Sequence, residues 1–175
     1  MSFTINTSAL EAFVERFNSP EAHRKGAARA GASHVTLTQE AFDLRGVDPQ
    51  SGAPGKWPDK ITPDPKLTRM KNPPARLYDK TPRLQDTGAL VGSIDFSPTD
   101  EGYSIGPSPL PYAAQHQFGA AIPITPESMA RLISLGFTPD EDKAVIIIPQ
   151  RQFIVLPEPW KEEIGNAYLS ARMEG

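Results

Sequence analysis

Histidine is the side chain best suited to acid–base chemistry near neutral pH, and the chain has three, His23, His34 and His116. None of them lies three or four residues from another, so no pair shares one helical face in the way that zinc-binding histidines do. Only His116 stands within a distinctive motif, His-Gln-Phe-Gly. A general base there would need a nucleophile or an acid within hydrogen-bond reach. We therefore interpret His116 as a hydrogen-bonded packing residue.

Other routes to catalysis lack the residues or the structural setting that they require. The chain has no cysteine, which excludes a thiol nucleophile, a disulfide framework and a thiolate metal site. The one Gly-x-Ser-x-Gly match, at residues 102–106, lies in a predicted strand and not at the strand-to-helix turn that a nucleophile elbow needs, and the chain has no Ser-x-x-Lys pair. The densest acidic run, Asp140-Glu141-Asp142, is typical of a solvated turn. The sequence thus predicts a protein that is not an enzyme and that has no metal site and no cofactor.

Charge divides the chain into three parts, although the net charge is only -3. Residues 1–45 carry five basic and five acidic side chains, residues 46–83 carry eight and four, and residues 84–175 carry five and twelve. Opposite potentials on one protein can steer its copies into complementary contact. A nucleic-acid-binding domain would instead be basic overall. Only the basic middle part therefore keeps DNA binding open as an alternative.

Length and composition limit the architecture. The 175 residues suit one domain with a packed core, but the 19 prolines are about twice the average usage of ~5% and place part of the chain outside that core. No apolar run approaches the ~20 residues of a membrane span, and the first ten residues lack the features of a signal peptide. We expect a soluble protein with no membrane partner that remains in the cell that makes it.

Two helices are predicted near the N-terminus. Ser8 and Glu11 form a capping-box pattern, and a helix over residues 9–17 would carry an apolar face of Leu10, Phe13, Val14 and Phe17. Ser19-Pro20-Glu21 is a second start signal, whose helix is predicted to continue to about residue 44. Alanines give this second helix a narrow face able to lie close to a sheet, with larger anchors at Val35, Phe42 and Leu44.

The second half of the chain mixes short strands and helices. Residues 93–98 and 102–106 alternate as strands around a hairpin turn at residues 99–101, with Ile94 and Phe96 on one face and Tyr103 and Ile105 on another. A third strand is predicted over residues 144–148. Short helices are predicted over residues 84–92, 111–118 and 126–135, the last capped by Thr125. Tyr112 and Phe118 are assigned to the core.

The chain closes with a predicted amphipathic helix over residues 158–173, whose inward residues are Trp160, Ile164, Ala167, Tyr168 and Leu169. Together these elements predict an α+β fold in a single domain over residues 1–175. A small, mainly antiparallel sheet of the three strands packs against the long N-terminal helix and the C-terminal helix.

Residues 46–82 are predicted to form a long proline-rich arm or loop. Their eight prolines exclude a helix or a central strand, and a structureless segment of this length is typical of an interaction arm. Outside the arm, the Arg151 guanidinium could bind a carboxylate within the fold or across a subunit boundary. The predicted subunit or partner contacts are Lys56, Trp57, Lys60, Lys66, Arg69, Lys71 and Arg151.

Several short motifs follow one another in the second half of the chain. They are Thr87-Gly88, Leu90, Ser93-Ile94, Ile105-Gly106, Tyr112-Ala113, His116-Gln117-Phe118-Gly119, and finally Pro149, Arg151 and Phe153. In this order they resemble the virion morphogenesis, or tail-completion, proteins of Mu-like tailed phages. Residues 120–143 look like an insertion between two of the motifs. The resemblance implies that the residues defining the fold are Thr87, Gly88, Tyr112, His116, Phe118, Gly119 and Phe153.

Two of these motif residues also have a local interpretation. Where the chain enters the hairpin, Thr87 can act as a capping residue and Gly88 permits a close approach.

The resemblance implies a structural function in the virion, after assembly in the host cytoplasm. Such a neck component forms a homo-oligomeric ring, with six copies as the expected number, that joins the tail to the head-side connector. Its partners would be further copies, the connector or head-closure protein, and the tail tube or terminator, while genome DNA passes through the lumen without specific binding. Two alternatives stay open: a tail terminator that caps the tube, or a small DNA-binding protein or packaging-associated nuclease.

Overall fold

The computed structural model of the protein describes residues 8–57, 88–134 and 145–174. The first helices are α1 (Ser8–Phe17), α2 (Pro20–Asp43) and α3 (Ala89–Gly92). The strands β1 (Ile94–Thr99) and β2 (Gly102–Pro107) follow, and then the helix α4 (Ala113–Phe118). The last elements are β3 (Ala120–Pro123), α5 (Pro126–Ser134), β4 (Val145–Ile148) and α6 (Glu158–Glu174). This combination of helices with small antiparallel sheets confirms the predicted α+β class.

Helix α2 is the scaffold of the fold and begins where the sequence predicts. The Ser19 hydroxyl accepts a hydrogen bond from the Ala22 amide at 3.1 Å, and Pro20 occupies the first helical position. Its buried face continues to Phe42, which is fully buried. The prediction that Leu44 anchors this helix is wrong, because Leu44 is the C-cap residue, beyond the end of the buried face, and is exposed.

Two glycines allow α2 to approach its neighbours closely. A β-carbon at Gly26 would lie 2.7 Å from the Tyr168 ring of α6, and one at Gly31 would collide with the Phe96 ring of β1. The sequence predicted a close approach from the alanines, and the tightest contacts occur at these glycines. Helix α6 has the predicted bounds to within one residue, and Trp160 and Ile164 are buried as predicted. Leu169 was predicted to face inward and is instead exposed.

Strands β1 and β2 form an antiparallel hairpin whose last pair is Thr99 with Gly102. Phe96 lies directly opposite Ile105, and Ile94 lies opposite Pro107. Because directly opposed residues project from the same face of a sheet, the apolar residues of both strands share one face. The prediction of two separate faces is therefore wrong. This shared face meets α2 through the contact between Phe96 and Gly31.

The third predicted strand, over residues 144–148, does not pair with the β1–β2 hairpin. Strand β4 runs antiparallel to β3, with Ala120 opposite Ile148 and Pro123 opposite Val145. In the described ranges, the strands therefore form two two-stranded sheets, where the sequence predicted one sheet of three strands. Strand β3 also opens residues 120–143, the segment interpreted as an insertion. Its four residues include a proline and three small or branched side chains, too short a pattern to be predicted as a strand.

The short helices differ from their predictions in detail. Gly88 precedes α3 with φ 70°, and a β-carbon there would have no atom within 4 Å among the described residues. Gly88 therefore supplies a left-handed backbone, not the predicted close approach. Residues 84–87 of the predicted helix lie outside the described residues. Helix α5 is capped as predicted, since the Ser128 amide donates to the Thr125 hydroxyl at 3.2 Å.

The apolar core consists of two clusters. One joins α2 to α6 through Ala30, Leu37, Val155 and Trp160. The other collects Phe42, Trp57, Leu90, Ile94, Ala113 and Phe153. The irregular segment of residues 150–157, between β4 and α6, contributes to both clusters through Phe153 and Val155. This segment contains Arg151 and Phe153, which belong to the last of the short motifs that carry the phage resemblance.

Candidate functional site

Two of these short motifs, residues 116–119 and the set that ends with Arg151 and Phe153, meet at Gln117. Its carboxamide oxygen accepts hydrogen bonds from the Phe153 and Ile154 amides at 3.0 and 3.1 Å, and its nitrogen donates to the Ile154 carbonyl at 2.8 Å. Residues 150–157 are neither helix nor strand, so their buried backbone groups depend on side-chain partners. One half-buried glutamine thus supplies three of these bonds. We call this contact between residues 116–119 and residues 150–154 the motif junction.

Backbone contacts complete the motif junction. The Arg151 amide donates to the His116 carbonyl at 2.7 Å, and the Gln150 side chain donates to the Gln117 carbonyl at 3.3 Å. Gly119 ends α4 with φ 73°, and a β-carbon there would lie 3.2 Å from the Gln150 nitrogen. A left-handed backbone and a crowded neighbour both favour glycine at this position. The last residue of the His-Gln-Phe-Gly motif is therefore set by packing against Gln150.

His116 and Arg151 also contact each other through their side chains. Arg151 is 4% exposed, and its Nη1 lies 3.4 Å from Nδ1 of His116. Burial, followed by the Arg151 charge, lowers the pKa of His116. A neutral imidazole can accept a hydrogen bond from the guanidinium, whereas an imidazolium would be repelled by it. His116 therefore has the packing environment that the sequence predicted, and Arg151 contacts its own fold.

Trp57 was predicted to contact a partner, and the structure corrects this. Trp57 is 5% exposed, its indole nitrogen donates to the Gln152 carbonyl at 3.0 Å, and its ring lies 5.1 Å from that of Phe42. A tight turn after α2 places it there, because Asp48 Oδ1 accepts from the Gln50 and Ser51 amides at 3.1 and 2.7 Å. These bonds also lower the pKa of Asp48. The first twelve residues of the predicted arm thus belong to the folded domain.

The remaining predicted contact residues are only partly described. Lys56 is exposed and lines a shallow cleft beside Trp57, Gln150 and Gln152. The other arm residues Lys60, Lys66, Arg69 and Lys71, together with Thr87 and the acidic residues 140–142, lie outside the described residues. Their predicted contacts therefore stay predictions.

Tyr112 and Phe118 were assigned to the core, and both are exposed. Phe118 is 72% exposed, while its neighbour Gln117 faces the motif junction. Helix α4 has only six residues, and its buried residue is Ala113. The small alanine and the hydrogen-bonding glutamine occupy the inner side, so the large apolar ring of Phe118 projects outward.

His34 is a buried residue that sequence reasoning did not single out. Its Nε2 lies 2.8 Å from the Val155 carbonyl, its Nδ1 lies 2.9 Å from the Tyr103 hydroxyl, and its ring meets Trp160 edge to face. The carbonyl can only accept, so Nε2 carries the proton and Nδ1 accepts from Tyr103. Burial lowers the pKa of His34, with a smaller opposing effect from the Val155 bond. The burial of His34 could have been predicted from spacing, since His34 lies four residues after Ala30 and seven before Ala41 on the same helical face.

A different kind of surface is present on α1. Leu10, Phe13 and Val14 are exposed, and none of the residues of α1 is buried. On α6, Leu169 and Met173 are exposed in the same way. Among the described residues, three of the exposed large apolar side chains therefore lie on one face of α1.

Two searches of the described ranges bear on other kinds of site. No group of three or more His, Cys, Asp or Glu side chains is placed to hold a metal ion there. Nor does any helix within the same ranges combine the length and the apolar character needed to cross a membrane.

Comparison with known proteins gave one result: neither a family model, nor a curated protein, nor a solved structure matches the chain.

Proposed function

We propose that the chain is a structural virion protein of a tailed phage, a tail-completion or neck component whose copies form a ring between the tail and the head-side connector. The observation that carries the proposal is the motif junction. Gln117 of one motif binds the backbone of Phe153 and Ile154 in the other, although 36 and 37 residues separate them. Two of the motifs behind the phage resemblance thus contact each other, which is expected if they define a fold.

The distribution of side chains supports a function in assembly. Two histidines, His116 and His34, have packing partners within the fold. His116 contacts Arg151, and His34 contacts Tyr103 and Val155. Large apolar residues, by contrast, lie exposed on α1, α4 and α6. Subunits of a ring contact each other through such surfaces, with shape and charge complementarity setting the register. The basic residues of the arm are proposed to add contacts with acidic surfaces of neighbouring subunits.

Deletion of the gene from the parent phage tests the proposal. We expect the lysate to contain filled heads and separate tails of normal length, and electron microscopy of tagged virions to place the protein in the neck. Overlong tails would instead identify a tail terminator. Complete, infectious virions that form without the protein would overturn both assignments.

Purified protein provides a second test against the DNA-handling alternative. Cleavage of DNA in the presence of Mg²⁺, abolished by a chelator, would replace the structural assignment with a nuclease. Binding to DNA whose affinity falls steeply with salt would point to a basic-arm DNA binder. A structural ring protein through which DNA slides is expected to do neither.

A further inference from the structure

Helix α1 has an apolar face that the described residues leave uncovered. Leu10, Phe13, Val14 and Phe17 follow the spacing of one helical face, and Leu10 is 62% exposed. The Phe13 and Phe17 rings stack at 5.9 Å, which makes the face continuous along the last two turns. A face of this kind normally packs against another element.

Contacts at its C-terminal end fix α1 relative to the body of the protein. The Arg172 guanidinium donates to the Phe17 carbonyl, with Nε at 3.1 Å, and lies 4.0 Å from the centre of the Phe17 ring. The Ser19 cap then fixes the first turn of α2. These contacts hold the last turn of α1 while Leu10, Phe13 and Val14 remain exposed.

A groove between α2 and α6 complements this face. The groove has a volume of about 510 Å³ and is lined by Lys25, Ala28, Arg29, Ala32, Ala171 and Glu174. The three alanines leave room for larger side chains from outside. Lys25 also pairs with Glu21 of its own helix at 3.2 Å, and because both side chains are exposed this pair holds Lys25 only weakly.

The charges on the α2 side of the groove match those of α1 in sign and spacing, and the acidic residue of the lining, Glu174, lies on the α6 side. Glu11 and Glu15 lie four residues apart on one flank of α1, and Lys25 and Arg29 lie four residues apart on α2. Both pairs therefore span one helical turn, so the two carboxylates can face the two cations when α1 lies in the groove. Complementary charge of this kind sets register and excludes wrong partners.

The groove of the same chain is a poorer partner for α1. Folding α1 back onto it would require the Ser19 cap to open and Arg172 to release Phe17. A second copy meets neither requirement, because its groove can approach α1 as it stands. We infer that α1 of one copy docks in the α2–α6 groove of a second copy, with Glu11 and Glu15 facing Lys25 and Arg29.

This contact joins two different surfaces, so it propagates head to tail and can close into a ring. The inference rests on the proposed function and deepens it, since it names the contact between neighbouring subunits.

Charge exchange tests the contact. One variant carries Glu11→Lys and Glu15→Lys, and the other carries Lys25→Glu and Arg29→Glu. We expect each alone to self-associate about tenfold more weakly than the wild-type chain or worse, because like charges then face each other. An equimolar mixture is expected to regain association, since each α1 then finds a groove of opposite sign on the other variant. The matched control, Glu162→Lys with Glu163→Lys on the exposed part of α6, is expected to associate like wild type.

Sedimentation across a concentration series measures these equilibria, and recovery in the mixture separates a broken contact from a broken fold. Single-cysteine variants give a second readout because the chain has no cysteine of its own. Val14→Cys mixed with Ala28→Cys is expected to give a covalent heterodimer with a short bifunctional maleimide.

Four results would overturn the inference: a wild-type chain that stays monomeric without crosslinking, charge variants that associate like the control, a mixture of the two charge variants that stays dissociated, or a mixture of Val14→Cys and Ala28→Cys chains that gives no crosslinked heterodimer. If such a result accompanied a neck ring in virions, it would remove this contact and leave the proposed function standing. Complete virions without the protein would remove the proposed function alone.

Discussion

Helices α1 and α2 are neighbours in the chain and use their side chains in opposite ways. Helix α1 has the clearer amphipathic pattern, with four large apolar residues on one face, and buries none of its residues. Helix α2 has a weaker amphipathic pattern, yet ten of its residues are buried, and six of these ten are alanines or glycines. Small residues on α2 let α6 and the hairpin approach closely, while the large apolar residues of α1 are left exposed.

Helix α4 repeats this contrast between adjacent residues. Gln117 turns inward and binds the backbone of residues 153 and 154, whereas Phe118 turns outward. In both places polar or small side chains support the fold and large apolar ones are exposed. The contrast is expected of a subunit whose assembly surfaces differ from its core.

The largest expected effect comes from replacing one phenylalanine by alanine in each of the two helices and comparing the losses of stability. Phe42→Ala in α2 should lower the free energy of unfolding by about 3–5 kcal/mol, since Phe42 is fully buried against Trp57 and Phe153. Phe13→Ala in α1 should change it by about 0.5 kcal/mol or less, because Phe13 is exposed. Urea unfolding followed by Trp fluorescence measures both. Equal losses would show that α1 is part of the core after all.

A smaller effect is expected at the motif junction. Gln117→Leu removes three hydrogen bonds and leaves the Phe153 and Ile154 backbone groups without these partners. Each group left unpaired costs roughly 1–3 kcal/mol when buried, and the half-buried setting places the total near the lower end of that range. Gln115→Leu, on the same helix, is the matched control. If both variants unfold at the same urea concentration, Gln117 is not what holds residues 150–154.

Replacing either of two glycines by alanine should change the stability of the protein, in opposite directions and by about 1 kcal/mol each. Gly165→Ala in α6 should stabilise the protein by roughly 0.5–1 kcal/mol, because alanine favours a helix and its β-carbon meets no atom within 4 Å in the described part of the chain. Gly31→Ala should destabilise despite the same helix preference, since its β-carbon collides with the Phe96 ring. Melting temperatures suffice to read the two signs. Stabilisation at both sites would mean that α2 and the hairpin are not closely packed.

Local signals explain how much of this fold the sequence predicted. The start of α2 follows from Ser19 and Pro20 alone, and the hairpin from the alternation around residues 99–101. The pairing of β3 with β4 and the bonds of Gln117 join residues that lie far apart along the chain, and no short window contains them. Periodicity predicted that the α1 face seeks a partner, but it could not say whether that partner lies in the same chain. The prediction for Trp57 was wrong because the turn at Asp48, which returns Trp57 to the core, depends on only a few hydrogen bonds.

The residues of the candidate site were likewise only partly predictable from the sequence. His116, Phe118, Gly119 and Phe153 were recognised through their motifs, but only the structure shows that Gln117 makes the bonds between them. His34 belongs to no motif, and its place on the buried face of α2 could have been deduced from its spacing to Ala30 and Ala41.

The smallest effect is a pH dependence that follows from this buried histidine on α2. Burial lowers the pKa of His34 in the folded chain, while in the unfolded chain it titrates near the ordinary value of about 6.5. Between those two values the unfolded state binds a proton that the folded state does not, so the free energy of unfolding falls as the pH drops below about 6.5 and is constant above it. His116 contributes with the same sign, since burial and Arg151 lower its pKa as well. Urea unfolding from about pH 8 to pH 5 should therefore show a loss that His34→Gln and His116→Gln each reduce and that the double variant reduces further. Helix α1 carries no histidine, so removing the side chains of its apolar face should leave this pH dependence unchanged. If Phe13→Ala reduced the pH dependence as much as His34→Gln does, the two helices would not be the separate units that their burial indicates.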